Sequence, residues 1–173
     1  MITKNNSVNI FHYLLKDDGT FPNSILPLLI YQHALNGASA KDPAEVERIF
    51  ESNDWYNSWR NGIYHEHHYH SVTHEVLGVY SGSCDVMFGG ERGIRMTVNP
   101  GDIIIIPAGV AHKNAGSTEN FKCVGAYPSG KSFDMNYGKP GERHETDKNI
   151  RQVPLPKADP LYGSEGDLLK YWK

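Results

Sequence analysis

A chain of 173 residues with 17 Lys and Arg against 20 Asp and Glu has a formal charge of −3. That is enough chain for one domain but gives no basic surface to hold nucleic-acid phosphates. Apolar residues make up 39% and aromatic residues 11%, enough to build a core, so wholesale disorder is excluded, and no run reaches the ~18–20 apolar residues of a membrane span.

Met1 to Lys16 is polar except for a mixed run from Val8 to Leu15. That run contains His12 and lacks a small-residue cleavage site, so it does not read as a secretory signal. Ile25 to Leu35 is strongly apolar with Pro27 near its start, and it predicts an extended strand buried on much of both faces. Asp42 then offers an N-cap, Pro43 a first helical position and Glu45 an acid in the first turn. Val46, Ile49 and Phe50 follow at helical spacing, so one helix is predicted from Pro43 to Asn53. Trp55, Tyr56 and Trp59 read as aromatics packed over one end of a barrel.

From Tyr64 to Tyr127 the chain consists of short β-rich runs: Val76–Tyr80, Cys84–Phe88, Ile94–Val98, Ile103–Ile106 and Phe121–Tyr127. Gly82, Gly89-Gly90, Asn99-Pro100-Gly101 and Gly116-Ser117 supply the turns between them. Strands at this spacing predict a sandwich or a closed barrel. Gly89 to Gly93 has a glycine pattern, but no helix follows and no Lys-Ser/Thr pair is present, so it reads as a hairpin turn and not a phosphate loop. The last 46 residues hold ten Pro and Gly and read as an extended arm. A short docked turn is expected at Leu168, Leu169, Tyr171 and Trp172. Cys84 and Cys123 both sit in apolar strand-like runs. Two such residues cannot make a disulfide framework, and they read as reduced, buried thiols in a cytoplasmic protein.

Five of the nine histidines, His65, His67, His68, His70 and His74, fall within ten residues. On a strand, residues two apart share a face, so His68 and His70 could turn two imidazoles to one ion. His65 and His67 form a second such pair on the opposite face, and parity alone does not choose between them. The neighbouring residues are more telling. Gly62 is followed after five residues by His68-Tyr69-His70, after four more by Glu75 and after six more by Gly82. A second block has Gly101, five residues, Pro107-Ala108-Gly109, two residues and His112, with Asn114 nearby.

These two blocks match the paired motifs of the cupin superfamily, except that Asn114 stands two positions closer to the histidine than is usual. Beyond the motifs, the chain resembles the YjlB-like single-domain bacterial cupins. The likeness runs through Phe11-His12-Tyr13-Leu14, Ser58-Trp59-Arg60-Asn61-Gly62, Thr73-His74-Glu75-Val76, Val124-Gly125-Ala126-Tyr127-Pro128, Tyr137-Gly138-Lys139-Pro140-Gly141 and Val153-Pro154-Leu155-Pro156. The resemblance implies an all-β fold, a double-stranded β-helix or small jelly-roll barrel, in a single domain. Its motif core would span about 58–128, preceded by a strand and helix segment in 1–57 and followed by an arm over 129–173.

The resemblance also implies one divalent metal ion, Fe, Mn, Ni or Zn, held by His68, His70, Glu75 and His112. Three imidazoles and one carboxylate leave such an ion Lewis-acidic, with about two octahedral positions open. Reaching Glu75 in phase requires a turn at Ser71-Val72-Thr73. His74, beside Glu75, is expected on the opposite face of the strand, and His12, His33 and His144 are expected to be structural. Tyr64, Glu66, Leu77, Phe88 and Tyr127 are expected to line the pocket, the first two at its mouth. The function expected is a metalloenzyme of oxygenase, isomerase or lyase type acting on a small oxygen-bearing molecule. The alternatives are a small-ligand binder or sensor anchored by the metal, and a barrel whose ion only locks the strands. Cupins of this kind also imply a homodimer, with Ile25–Leu35 as the sheet edge a second protomer would cover.

Overall fold

In the computed structural model, which describes residues 8–173, all strand pairing is antiparallel and divides between two sheets. The larger has the order β1 (Asn9–Tyr13), β2 (Leu28–Gln32), β7 (Ile103–Ile106), β4 (Glu75–Ser81), β9 (Lys122–Pro128) and β3 (Trp55–Asn61). The smaller has β5 (Cys84–Phe88) between β6 (Ile94–Val98) and β8 (His112–Ser117). Gly89 to Gly93 joins β5 to β6 as a hairpin turn.

Two hydrophobic layers explain the different textures of the strands. In β5, Cys84, Val86 and Phe88 are buried while Asp85 and Met87 are partly exposed, the period-two pattern of a sheet with one covered face. All four isoleucines of β7 are buried because the large sheet is covered on both sides. Ile104 and Ile106 face the barrel interior with Leu28, Ile30, Leu77, Val79, Cys84, Val86 and Phe88. Ile103 and Ile105 pack outward against Val46, Ile49 and Phe50 of helix α1 (Pro43–Ser52) and against Leu161, Leu168 and Trp172 from the C-terminal arm. Asp42 caps α1 by accepting the Ala44 N–H at 3.0 Å.

The structure corrects several expectations. The strand predicted over Ile25–Leu35 extends only from Leu28 to Gln32, and Ile25 is 91% exposed. It is not an edge: β1 pairs with it on one side and β7 on the other. Strands β1, β3 and β8 are not evident in the sequence, because polar residues dilute their alternation: Asn9 and His12 in β1, Asn57 and Arg60 in β3, and Lys113 and Asn114 in β8. The arm is not simply extended either. It contains α2 (Glu145–Gln152), a polar helix whose one buried residue is Thr146, and it ends in α3 (Leu168–Tyr171). Its end is tied down by hydrogen bonds. Tyr31 Oη donates to Asp159 Oδ2 at 2.6 Å, and Trp172 Nε1 donates to the Pro27 carbonyl at 2.8 Å. No helix among the described residues is long and apolar enough to cross a membrane.

Candidate metal centre

The two histidine segments are brought together by backbone pairing. His68 N–H donates to the His112 carbonyl at 3.2 Å and His112 N–H donates back at 2.9 Å, an isolated antiparallel bridge at the mouth of β8. One turn earlier, the Gly109 N–H donates to the His70 carbonyl at 2.8 Å. Gly109 has φ +93°, and a Cβ there would lie 2.2 Å from the Asn23 carbonyl oxygen, so this turn can be made only by glycine. The turn needed between His70 and Glu75 is held from outside by Asp134, whose Oδ1 accepts the N–H of Ser71 at 2.7 Å and of Val72 at 3.2 Å.

Those contacts gather His68, His70 and His112, all buried, with ligand atoms within 4.8 Å of one another. Every Nδ1 in the trio faces a main-chain carbonyl: His68 that of Glu66 at 3.0 Å, His70 that of Asp134 at 2.6 Å and His112 that of Val110 at 3.1 Å. A carbonyl only accepts, so each Nδ1 carries hydrogen, and in the neutral ring each Nε2 then presents a lone pair. Such outer bonds are the usual way a protein fixes the tautomer and ring orientation of a ligating histidine.

Glu75 opens β4 beside the trio, with Oε2 3.3 Å from Nε2 of both His70 and His112. Oε2 is buried, and it lacks a hydrogen-bond partner unless one of these ring nitrogens carries hydrogen. With neutral imidazoles, lone pairs would face a carboxylate oxygen with no hydrogen between them, an arrangement that calls for a cation. Without an ion, the same contacts show a demand for positive charge that ring protons would meet. Burial works against ionising Glu75, but His70 and His112 outweigh it and hold its carboxyl well below the usual carboxylate range. Burial likewise disfavours the His70 imidazolium, yet the Glu75 carboxylate beside it leaves that pKa raised. Burial, reinforced by His112, pushes His68 down to about 3. The donor set therefore fits a divalent transition-metal ion, for which imidazole and carboxylate are ordinary ligands.

A cavity of about 490 Å³ opens onto this group, bordered by His68, His70, Glu75, Leu77, His112 and Tyr127 among others. That is within the ~300–1,000 Å³ of small-molecule sites. Tyr64, 64% exposed, stands edge-on to His68 at the mouth. Two expected lining residues do not border it. Phe88 is fully buried in the barrel core with Leu15 and Leu28. Glu66 is exposed, because its segment is a loop and strand parity does not hold there.

The remaining histidines divide by contact. His74 turns away from the quartet: its Nδ1 accepts the Ala108 N–H at 2.9 Å and its ring lies 4.6 Å from that of Trp172. His67 Nε2 meets Glu91 at 3.1 Å, whereas His65 borders the cavity. His12 stacks on Tyr171 and His33 follows β2 in a turn. Asn114, set closer to His112 than the motif usually has it, donates its N–H to the Tyr64 carbonyl at 2.8 Å and accepts the Gly116 N–H at 2.8 Å.

Sequence reasoning missed Phe133, Met135 and Trp59 as cavity walls. Phe133 packs on Tyr127 and His70 at 5.1 and 5.2 Å between ring centroids. The first two lie in the polar arm, where no periodicity marks them.

The Cupin domain family matches residues 59–124, which contain both motifs. The YjlB protein of Bacillus subtilis (strain 168) is 44% identical over 161 residues, 92% of this chain and 94% of that one. Among solved structures, a DUF861 family protein of Thermotoga maritima matches at 17% identity and TM-score 0.33, over 49% of this chain and 91% of its own. Procruciferin of Brassica napus matches at 16% identity and TM-score 0.42, over 81% and 36%. A relative so similar over nearly its whole length, with the spaced histidine motifs folded into one buried cluster, shows that the chain belongs to the cupin family, in its YjlB-like branch.

Proposed function

We propose that this chain is a metalloenzyme of oxygenase, isomerase or lyase type that acts on a small oxygen-bearing molecule. One divalent ion, Fe, Mn, Ni or Zn, would be held by His68, His70, Glu75 and His112. When bound, that ion supplies a Lewis-acidic centre to which substrate oxygens can coordinate. The observation that supports this most is the convergence of three buried imidazoles and the buried Glu75 carboxylate beside a cavity large enough for a small molecule.

The chain's own residues would do the rest. Four ligands leave about two positions of an octahedron for a bidentate ligand. Leu77, Phe121, Phe133 and Met135 would pack on its apolar body and exclude water. Tyr64, Asn61 and Lys122 would meet its polar end at the rim. The unit would be a single domain working in the cytoplasm, in keeping with Cys84 and Cys123, both buried and unbridged. It would pair with a second copy through an edge other than β2.

The test is titration of Co(II)-loaded protein with a small α-keto acid or diketone, followed by visible absorbance. Direct coordination predicts a saturable change in the cobalt bands, weakened in Glu75→Gln. Turnover of a ligand that binds this way supports the enzyme. Binding without turnover, with and without oxygen, supports the sensor reading instead. No spectral response to any oxygen chelator would overturn ligand binding at the ion.

A further inference from the structure

Glu75 has one oxygen open to the histidines and one that is spoken for. Oε1 accepts a hydrogen bond from Tyr127 Oη at 3.1 Å, and Tyr127 Oη in turn accepts one from Trp59 Nε1 at 2.8 Å. An indole N–H can only donate. It therefore fills an acceptor position on the Tyr127 oxygen and turns the phenol hydrogen toward Glu75. The direction of this short chain, Trp59 to Tyr127 to Glu75, is fixed by the chemistry of its first member.

That first member is held firmly. Trp59 in β3 is paired with Gly125 in β9, and the indole lies in the space a side chain at 125 would need. A Cβ on Gly125 would come within 2.2 Å of Trp59 Cε2 and Cζ2 and 2.6 Å of Nε1. The ring is thus seated on the β9 backbone two residues from Tyr127. A register irregularity between Tyr56 and Trp59 sets it there.

Resting on the metal site proposed for the quartet, we propose that Trp59 and Tyr127 are positioning residues for Glu75. By occupying Oε1 they would hold the carboxylate so that it offers the ion only Oε2. A carboxylate free of this restraint could offer both oxygens, as carboxylates do to many ions. It would then fill a coordination position that a substrate needs. The pair would thereby set how many positions at the ion stay open, through a ligand neither of them replaces.

The test uses Mn(II) on the full-length chain, with affinity measured by competition against a chelating dye and exchangeable water by proton relaxation. Wild type should bind about one equivalent and show about two exchangeable waters. Tyr127→Phe removes only the hydroxyl. It should weaken Mn(II) roughly 10–100-fold, as loss of outer-sphere partners does, and should lose about one exchangeable water as Glu75 takes a second grip. Trp59→Phe should have a smaller effect in the same direction, and that effect should vanish when Tyr127 is already Phe, because the two act in series. If Tyr127→Phe matches wild type in both affinity and water count while wild type binds Mn(II), the positioning role is overturned and the metal site stands. A fully additive double variant would also overturn it. If wild type takes up no Mn(II), the site itself fails, and the relay with it.

Discussion

At the scale of single residues, protonation and parity decide most of what the site can be. His68 and His70 are legible as a pair because they are two apart, and the Glu75 and His112 spacings are legible through their motifs. Parity fails where the backbone is not a strand. Glu66 shares parity with His68 but lies in a loop, and Phe88 points inward but into the closed part of the core. The tautomers of the histidines cannot be read from sequence, because their carbonyl partners come from Glu66, Asp134 and Val110 through tertiary contact. His74 makes a testable case outside the quartet. Burial pushes its pKa down to about 4, against ~6.5 for a free side chain. The unfolded chain therefore binds a proton between these values that the folded chain does not, and stability should rise with pH across that window. It should be fully present above pH ~6.5 and lost as pH falls to about 4, by on the order of 3 kcal/mol from this residue. Denaturant midpoints of metal-free protein at pH 7 and pH 5 measure the slope. His74→Asn, whose Oδ1 can still accept the Ala108 N–H, should show a shallower one. An unchanged slope would show that His74 does not titrate in this way.

At the scale of elements, the strands with clean alternation or continuous burial, β4 to β7 and β9, are visible in the sequence. Those that mix polar and aromatic residues are not. By composition the arm after Pro128 reads as a passive cover, since it cannot make a core of its own. Besides packing Leu161, Leu168 and Trp172 on the sheet, it makes a polar contribution at the site: Asp134 Oδ1 accepts the N–H groups of Ser71 and Val72, its Oδ2 accepts from Asn136 Nδ2 at 2.7 Å, and its carbonyl orients His70. Asp134 is thus the peg that shapes the turn between His70 and Glu75. Asp134→Ala should destabilise the metal-free protein by about 1–3 kcal/mol through the unpaired N–H groups it leaves. It should also lower metal affinity by roughly tenfold or more as His70 loses its fixed orientation. Urea unfolding and calorimetric titration would measure the two effects. A variant that keeps wild-type metal affinity would separate the arm from the site.

At the scale of the whole molecule, the barrel explains why so much of the sequence is apolar on both sides of one sheet. Its inner face closes against β5, β6 and β8, and its outer face carries α1 and the C-terminal residues. With β2 paired to β1, the edges of the large sheet are β1 and β3, and the pairing we propose between copies would use one of them. Leu14 beside β1 is 60% exposed and Ile25 is 91% exposed, apolar side chains that a second copy would cover. A dimer should show about twice the 19.4 kDa chain mass by light scattering at micromolar concentration, and Leu14→Lys with Ile25→Lys should reduce it to one. A wild-type monomer at all concentrations would contradict this. Within the molecule, everything proposed for the site requires that the quartet form one metal site. Elemental analysis of protein purified without an affinity tag tests it most directly, comparing wild type, His33→Ala and the double variant His68→Ala/His112→Ala. About one equivalent of a divalent metal is expected in the first two and none in the third. A full equivalent retained by the double variant would contradict it.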